Sequence, residues 1–488
     1  MMTMKVKDIL VNCRIKEIMG DTDVDVVDIV FDSRKVTVGS MFFAIRGTAV
    51  DGHCYISQAV ENGAVAVVCE ALPSNIVTGV AYFLVDDAAM TLGECASNYY
   101  DNPSSRLRLV GVTGTNGKTT IATLLYRLFT HAGYACGLIS TIENIIDHEV
   151  VASTHTTPDP VSINALLSRM CNKGCEFAFM EVSSHAVDQK RIAGLTFAGG
   201  VFTNLTHDHL DYHKTTANYR DAKKRFFDAL PPKAFAITNV DDKNGLYMTQ
   251  NTKATVYTYA LRHDADYKAR VMESQFDGML LKINGHELFS RLVGGFNASN
   301  LLAIYGVAIQ LGMDHDELLS ELSALEGARG RFQVVRSASG VVGIVDYAHT
   351  PDALENVLVT IDEIRTHNEK LITIAGAGGN RDVSKRPEMA AVATRYSDKV
   401  ILTSDNPRYE DPLVIIAMMR EGVEPQSAKK VLSIVDRREA IRTAVALASR
   451  GDIILLAGKG HETYQEISGQ RSHFDDIEEI TNAFNEID

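Results

Sequence analysis

The chain has little of what membrane, secreted or nucleic-acid-binding proteins need. Nowhere in its 488 residues does an apolar run reach the ~18 residues of a spanning helix. Its opening, Met1-Met2-Thr3-Met4-Lys5, lacks the long apolar stretch of a secretory signal, so a cytosolic protein is expected. Basic residues are in the minority: 48 Lys and Arg against 62 Asp and Glu leave a formal charge of −14. That balance opposes nucleic acid and anionic membrane faces, which reward a basic surface. Any polyanionic ligand must therefore meet a local positive site. Proline is scarce, at 11 residues, and glycine, at 35, is ordinary, which excludes collagen-like and low-complexity chains. Cysteine is sparse too. The seven (Cys13, Cys54, Cys69, Cys95, Cys136, Cys171 and Cys175) form an odd set without a Cys-x-x-Cys pair and read as reduced core thiols. Cys171 and Cys175 are spaced as neighbours on one helix face, with no second ligand pair to complete a metal site.

What is present is enough chain for about three domains. From residue 107 onward, short apolar runs alternate with amphipathic stretches and no internal repeat occurs, the pattern of βαβ units. Strands are expected at Leu107–Val112, Phe177–Val182, Gly200–Leu205 and Ala234–Val240, and helices at Thr119–Ala132 and Ala298–Leu311. Between residues 257 and 294, polar pieces with Asp277-Gly278 and Asn284-Gly285 turns predict a small antiparallel patch. Past the Gly-rich, charged segment Glu326–Arg331 a second α/β series begins, with strands near Val341–Val345, Leu371–Ala375, Lys399–Thr403 and Asp452–Ala457. A Rossmann-like sheet is the simplest arrangement for it. The first hundred residues read as a smaller α/β unit, followed by a linker at Tyr100–Ser105. The division is thus 1–106, 107–329 and 330–488.

Phosphate-binding chemistry is the strongest local signal. Gly111-Val112-Thr113-Gly114-Thr115-Asn116-Gly117-Lys118-Thr119-Thr120 follows a strand and opens a helix. Glycines let backbone N–H groups face an anion, the helix start adds its dipole, Lys118 supplies charge and Thr119 a hydroxyl for Mg²⁺. Val112 stands where the common motif has Gly. A second cluster, Thr203 to His213, carries His207, His209, His213, Asp208 and Asp211 past the end of a strand, where open α/β sheets hold ligands. It suits a Mg²⁺–nucleotide site, with His209 the foremost candidate; a solvated polar loop is the alternative. Glu181 ends another apolar strand, where its carboxylate needs either a bound Mg²⁺ or a neighbouring lysine. In the last third, Arg408 of Asp405-Asn406-Pro407-Arg408 could grip a carboxylate with its fork or make a surface salt bridge. Gly376-Ala377-Gly378-Gly379-Asn380-Arg381 is half a dinucleotide fingerprint with Arg in the third glycine position; this argues against NAD and suggests an anion contact by Arg381.

Together these elements resemble the Mur ligases, ATP-dependent enzymes that add amino acids to peptidoglycan precursors. The match spans nearly the whole chain, through Gly114–Thr120, His155-Thr156-Thr157-Pro158, Glu181–His185, Asn204–His213, Asn297-Ala298-Ser299-Asn300, Gly330-Arg331-Phe332, Asp346-Tyr347-Ala348-His349 and Gly458-Lys459-Gly460-His461-Glu462. The resemblance implies an α/β, three-domain architecture: an N-terminal UDP-sugar domain, a central P-loop ATPase domain and a C-terminal Rossmann-like domain for the amino acid. It implies ATP contacts from Gly114, Thr115, Asn116, Gly117, Lys118, Thr119, Thr120, Asn297, Arg331 and Asp346, with Asp346 and His349 reaching the nucleotide on domain closure. Ser33, Thr156, Thr157, Ser183, Gln189 and Arg191 would hold a UDP-N-acetylmuramoyl-dipeptide. Mg²⁺ would lie on Thr119, Glu181, His209 and Lys223, the lysine carrying CO₂ as a carbamate and Lys224 being the competing position; Lys118, Glu181, His209 and Lys223 form the catalytic set. From sequence alone, Lys223 reads as an exposed helix lysine.

The Asp405–Arg408 motif resembles that of diaminopimelate-adding members, because Arg408 suits a second carboxylate and repels the ammonium of lysine. Arg381, Asp405, Asn406, Pro407, Gly458 and Glu462 would complete that pocket, although many relatives have Cys and Asp where Ala377 and Asn380 stand. The expected activity is amide formation between diaminopimelate and the D-glutamyl γ-carboxylate of UDP-N-acetylmuramoyl-L-alanyl-D-glutamate, by a monomer acting on small molecules, without nucleic acid or membrane. The alternatives are a lysine-adding or folylpolyglutamate-synthetase-like ligase, or a nucleotide-dependent switch protein.

Overall fold

The computed structural model describes residues 3–47, 50–153, 155–206 and 208–487. Among the described residues three sheets of five or more strands follow one another, beside two two-stranded ones. The first has five strands, ordered Ile15–Met19, Ala81–Val85, Ala66–Cys69, Ser40–Phe43 and Asp28–Val30; only the first pair is antiparallel. The last has six, ordered Gln333–Arg336, Val342–Asp346, Ile453–Ala457, Leu371–Ala377, Lys399–Ser404 and Val431–Ser433, parallel except at the Gln333–Arg336 edge.

The middle sheet has eleven strands. Its parallel centre runs Cys136–Ile139, Phe177–Glu181, Arg108–Thr113, Gly199–Phe202, Phe235–Asn239 and Thr255–Ala260. Successive side chains of a strand face opposite ways, and here both faces are covered. Val110, Val112, Phe177 and Phe179 pack beneath the helices Lys118–His131 and Gly295–Gln310. Leu109, Ala178 and Met180 pack against Pro160–Asn172 and Thr216–Asp228. Double coverage is why these strands read as unbroken apolar runs. Their common direction sends the ends of Arg108–Thr113, Phe177–Glu181 and Gly199–Phe202 to one edge.

The antiparallel patch expected between residues 257 and 294 is present as Tyr267–Gln275, Gly278–Ile283 and His286–Ser290, and it extends the middle sheet through a parallel pairing with Thr255–Ala260. The stretch read as a linker, residues 100–105, is ordered: Pro103–Ser105 form a 3-10 turn with Pro103 and Ser104 buried and the Ser104 hydroxyl accepting from Thr196 N–H. Two expectations about the cysteines need correction. Cys171 and Cys175 do not share a helix, because it ends at Asn172. Nor are all the thiols in the core: Cys54 is exposed. The strand Ile15–Met19 escaped notice because it is a mostly exposed, polar edge. Among the described residues no helix is long and apolar enough to cross a membrane.

Candidate active site

A cleft of about 290 Å³ opens between the carboxyl edges of the middle and last sheets. On its middle-sheet side the Arg108–Thr113 strand passes through Gly114–Gly117 into the Lys118–His131 helix. Gly114 (φ +154°) is irreplaceable on steric grounds, since an added Cβ would lie 1.8 Å from Thr203 Oγ1. Gly117 starts the helix at φ +88°, a conformation costly for other residues. The neighbouring strand braces this loop: Asn116 N–H donates to Asn204 Oδ1 (2.9 Å) and the Thr203 hydroxyl to Asn116 O (2.6 Å). Lys118 curls over the loop, donating to the carbonyls of Gly114 (3.0 Å) and Thr115 (2.8 Å). Burial, reinforced by Arg331, holds its ammonium below the ordinary lysine range.

Beside the loop, Glu181 is fully buried. Its Oε1 accepts from the Thr119 hydroxyl (2.9 Å) and Thr141 N–H (2.7 Å), while Oε2 has no hydrogen-bond partner among the described residues. A buried carboxylate oxygen without a donor is costly, and a hard divalent cation would satisfy it. Among the described residues no three His, Cys, Asp or Glu side chains converge on a metal position. The hard oxygen donors of Glu181 and Thr119 fit Mg²⁺, which is commonly held through one or two carboxylates together with substrate phosphates and water.

His209 caps a short helix at φ +55°, its ring packed on His185 and Tyr219. Burial, with His185 and Lys118 adding to it, lowers it to about 3 despite Asp208, leaving a neutral imidazole at pH 7. His207 lies outside the described residues. His213 does not line the cleft: it is buried and bonded to Ser184 Oγ at 3.0 Å. Lys223 is not the exposed residue its helix position predicted. It is 1% exposed, lies 4.6 Å over the Tyr219 ring and donates to Gly114 O at 2.6 Å. Burial and Lys118 depress its ammonium well below the ordinary range, and a neutral amine is the form that takes up CO₂. Lys224 points elsewhere and pairs with Asp228 (2.6 Å).

Across the cleft, Arg331 reaches Thr119 Oγ1 (3.3 Å) and stacks on Tyr347. Asp346 sits behind it, accepting from Phe332 N–H (2.7 Å), with burial raising its carboxyl to about 6. Asp346 and Asn297 do not line the cleft; Asn297 bonds Val293 O and Asn300, whose side chain lies against Gly117. Arg408 (φ +52°) donates to Gly379 O at 2.7 Å and lines the wall with Arg381, Asp405, Asn406, Gly458 and Glu462. Pro407 packs outside, against Gly379. Thr156 and Ser183 also line the cleft. Thr157, Gln189 and Arg191 adjoin it as a network in which Arg191 donates to Thr157 O (2.7 Å) and Gln189 Oε1 (2.7 Å). Ser33 stands apart in the first domain, donating to Gln58.

Sequence reasoning passed over Thr141, Lys385 and Lys459. Lys385 pairs with Asp208 across the cleft (2.6 Å). Despite burial, that charge together with His209 and His349 keeps the Asp208 carboxyl well below the usual range. No local signal marks Lys385, whereas Lys459 sat inside a quoted motif without a role.

Known proteins share this arrangement. The families described as Mur ligase family, catalytic domain, Mur ligase middle domain, and Mur ligase, glutamate ligase domain match residues 26–100, 112–308 and 330–460. The UDP-N-acetylmuramoyl-L-alanyl-D-glutamate–2,6-diaminopimelate ligase of Bacteroides fragilis is 56% identical over 99% of both chains. The protein of the same name from Cytophaga hutchinsonii is 56% identical over 97% of both. A solved structure of a ligase with this name superposes with a TM-score of 0.71 at 34% identity, covering 99% of each chain. With its three successive α/β domains, the chain belongs to the Mur ligase family.

Proposed function

We propose that this chain joins diaminopimelate to the D-glutamyl γ-carboxylate of UDP-N-acetylmuramoyl-L-alanyl-D-glutamate, with ATP converted to ADP and phosphate. The observation that carries this reading is that the phosphate loop and Arg408, from two different sheets, open on one cleft. A triphosphate and a dicarboxylic amino acid would meet there.

A carboxylate is a poor electrophile. Transfer of the γ-phosphoryl group of ATP to it gives an acyl phosphate, and attack by the diaminopimelate amine gives a tetrahedral intermediate that expels phosphate. Lys118 would leave the loop carbonyls for the phosphates, with Gly114, Thr115, Asn116, Gly117, Thr119 and Thr120 lining their cradle and Arg331 entering from the opposite side. Asn297 and Asp346 would act from behind, by holding Asn300 and the Arg331 loop. Glu181, Thr119, His209 and a carbamate on Lys223 would hold Mg²⁺, which when bound neutralises phosphate charge. Thr156, Thr157, Ser183, Gln189, Arg191 and Ser33 would hold the UDP-dipeptide. Arg408 would pair with the far carboxylate of diaminopimelate, assisted by Arg381, Asp405, Asn406, Pro407, Gly458 and Glu462. Domains 1–106, 107–329 and 330–488 would thus take the UDP-sugar, ATP and amino acid in turn. Contacts such as Lys385–Asp208 and Asn116–Asp352 (3.0 Å) support closure that shields the acyl phosphate from water. We place the enzyme in the cytosol as a monomer.

The test is to supply ATP, Mg²⁺, the UDP-dipeptide and either diaminopimelate or lysine, then weigh the products. A diaminopimelate adduct, with phosphate release requiring all reactants, is expected. A lysine adduct alone would overturn the substrate assignment, and phosphate release without an adduct would overturn ligation.

A further inference from the structure

The Asp405–Asn406 turn and the Gly458–Glu462 loop leave the ends of Lys399–Ser404 and Ile453–Ala457, two strands separated in the sheet by Leu371–Ala377. Lys459, whose side chain is wholly buried, joins them. Its Nζ lies 3.2 Å from Asn406 Oδ1 and 3.4 Å from both Asp405 Oδ1 and Glu462 Oε2. Asn406 closes the set by donating to Glu462 Oε2 (2.7 Å).

A lysine buried as an ammonium needs its charge answered, and here two carboxylates flank one ammonium. Beneath them Arg437 is spent on Asp476 at 2.6 Å, both side chains fully buried, so it adds no net charge. The cluster of Asp405, Glu462 and Lys459 therefore carries one negative charge in excess, and its two carboxylates line the cleft beside Arg408 and Arg381. Resting on the reading above, we propose that Lys459 is a positioning residue for the amino-acid substrate: it holds Asp405 and Glu462 together as a receptor with one uncompensated charge, fitted to the single far ammonium of diaminopimelate while Arg408 takes the far carboxylate. Two adjacent carboxylates without such a cation share a proton. The groups around Glu462 include Asp405, Lys459, Asn406, the phenols of Tyr347 and Tyr464, and Arg437, with Arg381 and Arg408 on the same wall. Burial and then Asp405 push its carboxyl up, and Lys459 is the charge opposing them.

The probe is 2-aminopimelate, which keeps the far carboxylate and lacks the far ammonium. In Lys459→Met, a proton shared between Asp405 and Glu462 occupies the carboxylate oxygens that must accept from the ammonium, so the acidic limb of kcat/KM for diaminopimelate should move up by about one pH unit or more and kcat/KM on the limb fall about tenfold. The inhibition constant of 2-aminopimelate should keep its pH dependence. Glu462→Gln should abolish the preference for diaminopimelate over 2-aminopimelate, because Asp405 and Lys459 then cancel. Lys459→Met/Glu462→Gln, which restores one excess negative charge, should bring back both the preference and the lower limb. Equal shifts for the two ligands, no shift, or a double variant worse than either single would overturn the proposal. Should Lys459→Met show no cooperative melting transition, Glu462→Gln decides, and a retained preference counts against it. A wild-type enzyme that refuses diaminopimelate breaks the underlying reading instead.

Discussion

The two walls of the cleft are built by different physics. On the middle-sheet side, backbone does the work: a glycine loop braced by Asn204, which accepts from Thr115 and Asn116 N–H, and by Thr203 leads into the start of the Lys118–His131 helix, whose dipole favours an anion. On the last-sheet side, charge does the work: Arg408, Asp405 and Glu462 line one wall, with Lys459 buried behind the two carboxylates. A wall of backbone amides suits phosphate, whose oxygens are alike in any pose. A wall of opposed charges suits an amino acid whose carboxylate and ammonium must be told apart.

That contrast breaks most visibly at Lys118, the lysine that lies over the phosphate loop. Lys118→Ala should reduce ligation by about 10³-fold or more, since phosphoryl transfer depends on such charge stabilisation; near-normal product formation by mass spectrometry would dissolve the distinction. Next comes Arg408. Arg408→Ala should raise KM for diaminopimelate by about 10- to 100-fold, the worth of a charged hydrogen-bonded pair, and leave KM for ATP nearly unchanged. Equal effects on both would mean the walls are not separate. Arg408→Lys should restore little, because an ammonium cannot reproduce the planar fork.

The smallest effect sharpens the comparison through pH. Asp346 has its carboxyl raised to about 6 by burial, from an ordinary 3.8. A carboxyl that is more basic in the fold holds its proton preferentially there. Its contribution to stability is therefore complete below about pH 4 and is lost as pH rises through about 6, on the order of 2–3 kcal/mol at most. Asp346→Asn has no proton to lose, so it should gain on the wild type across that window. Parallel plots of Tm against pH for the two proteins would contradict this.

Much of the first wall was legible along the chain because its parts are contiguous: a strand, Gly114 to Gly117, Lys118 and a helix form one local unit. Glu181 was legible for another reason, as a lone carboxylate ending an apolar run. The second wall was legible only in pieces. Asp405 to Arg408 and Gly458 to Glu462 lie far apart in sequence, and their meeting depends on strand order. Lys223 misled because a single helix turn does not reveal which face is covered. Cys175 misled because the spacing suited a helix that stops at Asn172.

The sequence by itself determined the class of fold, the phosphate loop and the kinds of charge brought to the chemistry, because apolar periodicity and short motifs act over a few residues. Only the tertiary structure decided that Glu181 keeps one oxygen without a protein donor, that Lys385 crosses to Asp208 and that Lys459 lies between two carboxylates. Burial and charge pairing are set by which strands become neighbours, and that is a property of the whole folded chain.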